Sequence, residues 1–245
     1  MTPRDSTGSI VPGLSIPSIV RRVALVYGVP VDRSLFDMWR SITDLMCHFD
    51  DWLESSTDEG RLGCIDFLSG TTGHDSLMLL SGRQQQSFKQ VLHQFQTNHV
   101  SSAKRTEFLA ALRSWAHYSD NLRSTASVRS ALTYRCQESR CLASLLILVV
   151  PDNFGREVVK FSDTLSRITV TAQFIDSVID FKRDIAVGAV SPPRRRLQIL
   201  FALAAVLTAL RCALVTPRLL PILIRKSWIL VINRNGRFNS QRVND

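Results

Sequence analysis

Asp176, Asp180 and Asp184 stand four residues apart in the stretch DSVIDFKRD. On a helix that spacing stacks three carboxylates down one face. Like charges so placed repel by a few tenths of a kcal/mol per pair, about 1 kcal/mol in all. A hard divalent cation such as Mg2+, which takes oxygen ligands, would offset that repulsion. A solvated face neutralised by Lys182, Arg183 and nearby arginines is the plainer alternative. A second acidic group, Asp50, Asp51 and Glu54, lies in HFDDWLE, with Asp44 a further turn back. Helical bundles build metal sites from carboxylates on facing helices, and two clusters over a hundred residues apart can face each other in that way. Phe49, Trp52 and Leu53 flank the second group and suggest a partly buried helix. Buried carboxylates without partners are costly, which favours metal binding over a decorative surface.

The elements that must carry these groups read as helices throughout. Residues 1–18 are polar and rich in Pro and Gly, a flexible lead-in, and residues 19–245 form one all-α domain. Asp32 or Ser34 caps a helix whose Leu35, Met38, Trp39, Ile42, Leu45, Met46, Phe49 and Leu53 recur at threes and fours. Further helices are expected over 83–99, 106–119 and 126–150, the last ending at Pro151. Residues 156–186 carry the acidic triplet on one helix, stopped by Pro192 and Pro193. Leu197 to Val215 is apolar enough to be weighed as a membrane span. With Arg211 near one end, a helix buried in the middle of a bundle is favoured. A final segment runs from Pro217 to Ile232. There is no strand alternation and no internal repeat.

Composition narrows the classes. At 45% hydrophobic residues the 245-residue chain supports a core. The net charge of +9 fits nucleic acid, an anionic membrane or a phosphorylated substrate. No nucleic-acid module is present, which argues against the first. The five cysteines form no CxxC pair, and the N-terminus lacks an apolar signal core. Reduced thiols in a cytoplasmic protein are therefore expected. GxSxG nucleophile and GxxxxGK phosphate motifs are absent. His48, beside the acidic group, reads as structural, because no HxxxH or HxxE frame accompanies it.

The two acidic motifs together resemble those of class I terpene synthases, the metal-dependent terpene cyclases of the isoprenoid synthase superfamily. Asp50-Asp51-Trp52-Leu53-Glu54 matches the DDxxD/E motif. DSVIDFKRD keeps the frame of the second motif and its basic residue, Arg183, with Asp176 for Asn, Asp180 for Ser and Asp184 for Glu. In YRCQESR, Arg135, Glu138 and Ser139 keep the spacing of the family's diphosphate sensor, linker and effector. Trp228 followed by Arg234 resembles a C-terminal motif, with Asn235 replacing Tyr and Arg237 a competing match.

The resemblance implies a class I isoprenoid synthase bundle and a lyase that ionises farnesyl or geranylgeranyl diphosphate and cyclises the carbocation. It implies three Mg2+ held by Asp50, Asp51, Glu54, Asp176, Asp180 and Asp184, with Asp50, Asp180 and Arg135 catalytic. Arg135, Arg183 and Arg234 would bind the diphosphate, and Phe49, Trp52 and Phe174, with Trp115 and Phe181 as further candidates, would line the cavity. A head-to-head prenyl transferase of the squalene and phytoene synthase type shares the fold and stays open, as does a degenerate, non-catalytic helical protein. The isoprenyl diphosphate is the expected partner. Peripheral membrane contact and a homodimer stay open, and nucleic acid is not expected.

Overall fold

The computed structural model describes residues 16–55, 82–151, 155–181, 195–217 and 221; of residues 51, 52, 54, 55 and 195 it describes the backbone alone. Every regular element among them is helical. In chain order they are α1 (Ile16–Val26), α2 (Arg33–Ser55), α3 (Gly82–Thr97), α4 (Ser102–Ser124), α5 (Val128–Ile147), α6 (Gly155–Ile179) and α7 (Arg195–Val215). The all-α reading holds. The first helix begins at Ile16 and takes in the last three residues of the expected lead-in, because Pro17, Ile19 and Val20 already bury against the core.

Local chemistry sets several helix ends. Gly28, at φ 74°, takes the left-handed conformation that closes α1, and Val29 N–H returns to Ala24 O. Asp32 caps α2 through its Oδ1, 2.7 Å from Leu35 N. Ser101 and Ser127 cap α4 and α5 in the same manner. On α2 all eight apolar residues picked out by spacing are buried. Burying each stabilises by about 1.5–3 kcal/mol before chain entropy is counted.

Side-chain contacts fix the directions of the helices. Trp39 Nε1 donates to Leu146 O at 2.8 Å, and its ring lies 6.2 Å from that of Phe161. The start of α2, the end of α5 and the start of α6 therefore share one level. At the other end Arg123, at the end of α4, donates to Leu53 O, and His48 meets Ser87 near the start of α3. Consecutive helices thus run antiparallel. Helices α1, α2, α5 and α6 pack as a ring, each on the next, with α2 and α6 parallel and diagonal to each other.

Two apolar clusters fill the bundle. The larger joins α1, α2, α3 and α4 to the near ends of α5 and α6 through Trp39, Phe49, Leu112, Leu146 and Phe161. The smaller joins Leu122, Ala131, Phe174, Phe181 and Phe201 at the far end.

Two expectations are corrected. The helix expected to carry the acidic triplet stops at Ile179 and Asp180 sits in a bend, so Asp176 lies on α6 and Asp180 just past its end, while Asp184 lies outside the described residues. Helix α7 is not buried in the middle of the bundle. It packs on α6 and α5 through Leu197, Phe201, Ala205 and Cys212 and leaves its opposite apolar side exposed. A largely apolar helix can sit at an edge when, among the described residues, one side of it finds neighbours.

Candidate functional site

Helix geometry places the acidic groups relative to one another. The level of Trp39, Leu146 and Phe161 serves as a floor. Asp50 lies eleven residues above Trp39 on α2, and Arg135 eleven residues from Leu146 on the antiparallel α5. At 1.5 Å per residue both stand about 16 Å above the floor. Asp176 lies fifteen residues above Phe161 on α6, hence about 22 Å. All three are at the same end of the bundle.

Phase adds the second coordinate. A residue turns the helix by about 100°, so Asp50 is rotated only about 20° from Trp39 and Arg135 about 20° from Leu146. Asp176 is rotated about 60° from Phe161. Each group therefore continues a helix side that meets its neighbours lower in the bundle. Asp50 and Asp176 are exposed and Asp180 is half-buried, so water reaches this end. Asp44 is exposed too, but it falls about 120° from Asp50 and turns away from this space.

Arg135 is the buried cation of this level, 7% exposed. Its Nη1 donates to Glu138 Oε2 at 2.9 Å, and Ser139 Oγ donates to Arg135 O at 2.6 Å. Arg135, Glu138 and Ser139 are thus physically connected on α5. They lie between the two apolar clusters, with Ala131 in the smaller and Ala143 and Leu146 buried beyond them. An ion pair in such a setting contributes little net stability, because desolvation offsets the Coulomb gain. Charge kept in a core is therefore more informative about function than about folding. Next to it, burial and then the Glu138 charge push the Cys141 thiol up to about 11. It is no nucleophile at neutral pH.

Sequence reasoning missed Arg123. Its Nη2 lies 2.5 Å from Leu53 O, in the last turn of α2 and beside the DDWLE motif. A guanidinium there satisfies a helix-end carbonyl and puts positive charge at the end of α2. No local signal marks it, since seventy residues separate the two. His48 Nδ1 lies 2.6 Å from Ser87 Oγ, which ties α2 to α3.

The remaining candidates divide as follows. Phe49 is fully enclosed in the larger cluster, and Phe174 packs 5.8 Å from the Phe201 ring in the smaller. Trp115 is buried in the larger cluster and Phe181 in the smaller. Asp51, Trp52 and Glu54 belong to α2 by backbone, and their side chains lie outside the described residues, as do Arg183, Asp184, Arg234 and Arg237 entirely. Among the described residues no three His, Cys, Asp or Glu side chains come together as a metal-holding set. No family model, curated protein or solved structure matches the chain.

Proposed function

We propose that the chain is a Mg2+-dependent enzyme of the class I terpene synthase type. It would ionise farnesyl or geranylgeranyl diphosphate and cyclise the resulting carbocation. One observation carries the reading: Asp50, Asp176 and Arg135 continue helix sides that meet lower in the bundle, at one water-reachable end.

The donors of the two motifs are carboxylate oxygens, the ligand type Mg2+ takes. Asp50, Asp51 and Glu54 would hold metal from α2, and Asp176, Asp180 and Asp184 from the opposite side. Bound there, Mg2+ would neutralise diphosphate oxygens and make the group a better leaving group. Arg135 is fixed by Glu138 and presents a fork suited to phosphate oxygens. As the C1–O bond breaks, its electron pair stays with the diphosphate and the prenyl chain becomes an allylic cation. The apolar clusters beneath would keep water from that cation until it closes and gives up a proton to the released diphosphate. The Asp-rich second motif favours, as a second reading, head-to-head joining of two prenyl diphosphates.

The test is incubation with farnesyl and geranylgeranyl diphosphate and Mg2+, reading diphosphate release and products by mass spectrometry. Release is expected from the native chain. Asp50→Ala and Asp176→Ala each remove charge worth several kcal/mol at the transition state, so release should fall about a hundredfold or more. The circular dichroism spectrum should stay unchanged. A joined product from two substrate molecules would select the second reading. No release with either substrate, or native rates in both variants, would end the proposal.

A further inference from the structure

Helix α7 carries a continuous apolar stripe that faces water. Ile199, Leu203, Val206, Leu207, Leu210 and Leu214 are all more than half exposed, Leu214 at 83%. Helical phase gathers the six within an arc of about 100°, and they run for about 22 Å along the axis. The opposite side of the helix is the one packed on α5 and α6. A contiguous apolar patch of this kind marks a surface that something covers.

Charge identifies what. Residues 185–245 contain ten Arg and Lys and a single acidic residue, Asp245. The 184 residues before them hold twenty basic and twenty acidic side chains, so the whole net charge of +9 resides in the part of the chain that bears the stripe. Arg196 and Arg211, both exposed, stand at its head and on its flank.

We propose that α7 docks the protein onto an anionic lipid bilayer. The stripe would lie flat at the boundary of headgroups and acyl chains, with the arginines against lipid phosphates. A second copy fits less well, because it would bring two basic rims together. The chain's own residues 218–245 fit less well too, because they add Arg218, Arg225, Lys226, Arg234, Arg237 and Arg242 to a rim that is already positive. A span through the bilayer would pull the inner side of α7 from α5 and α6. The proposal stands on α7 and the charge distribution and is independent of any enzymatic reading of the acidic groups.

The experiment is vesicle flotation of the full chain. Vesicles of phosphatidylcholine alone are compared with vesicles that also contain phosphatidylserine, at low and high salt. The native chain should float with the anionic vesicles and less so in high salt, where the attraction is screened. Leu207→Glu with Leu214→Glu should weaken flotation at least about tenfold while the helical spectrum is retained, and Leu214→Glu alone should weaken it less. Native protein that floats with neither vesicle would overturn the proposal. So would a folded double variant that floats like the native chain. A dimer split by the double variant would give the stripe to a second copy. A double variant that no longer folds would give it to the chain itself.

Discussion

Arg135 and Glu138 are the residues on which stability and function separate. Their side chains are 9% and 4% exposed, and they bond at 2.9 Å. Removing one partner leaves the other charge buried, at a cost of about 3–5 kcal/mol. Removing both is far cheaper, since two buried charges vanish together. Arg135→Met should therefore lower the unfolding free energy by that amount in a urea titration, and Arg135→Met with Glu138→Met should recover most of it. If Arg135 binds diphosphate, the double variant will be stable and still inactive. Equal destabilisation in the single and double variants would show that the pair is not coupled. Regained activity in the double variant would remove Arg135 from the chemistry.

At the scale of elements, the crossing of α2 and α5 sets the floor from which the acidic groups rise. Trp39 is fully buried, and its Nε1 holds Leu146 O near the end of α5. Trp39→Phe keeps most of the apolar volume but removes the donor and leaves that carbonyl buried without it. The expected cost is about 1–3 kcal/mol for the carbonyl, with a further contribution from the space left behind. Thermal unfolding measures it, and a melting temperature within a degree or so of native would show that Leu146 O finds another donor. The same crossing explains why Asp50 and Arg135 share a level: each is eleven residues from the Trp39–Leu146 bond on helices running in opposite senses.

For the whole molecule the question is whether two apolar clusters make one folding unit. Helices α4, α5, α6 and α7 each contribute to both clusters or pass from one to the other. A helix that frays at one end loses its support at the other, so the two should melt together. Phe161→Ala, in the larger cluster, and Phe201→Ala, in the smaller, should each lower a single transition, by about 3–5 kcal/mol at full burial. Calorimetry decides: a second peak that only Phe201→Ala moves would mean that the smaller cluster opens alone.

Much of the fold was legible in the residues themselves. Apolar spacing at threes and fours marks α2 because a helix buries one stripe, and every residue so marked is in the core. Asp32 is legible as a cap because its carboxylate can reach an amide three residues on. The tie between Arg135, Glu138 and Ser139 follows from their helical spacing. Tertiary structure alone decided the rest. Spacing cannot tell which end of a helix meets which, so only the packing of Trp39 on Leu146 and Phe161 brings Asp50, Arg135 and Asp176 to one end. Nor can it show that α6 stops at Ile179, since none of the residues that follow breaks a helix. The apolar run of α7 reads the same whether both sides are covered or one, because apolar burial is non-directional and depends on which neighbours arrive. Among the described residues they arrive on one side, and the other is exposed.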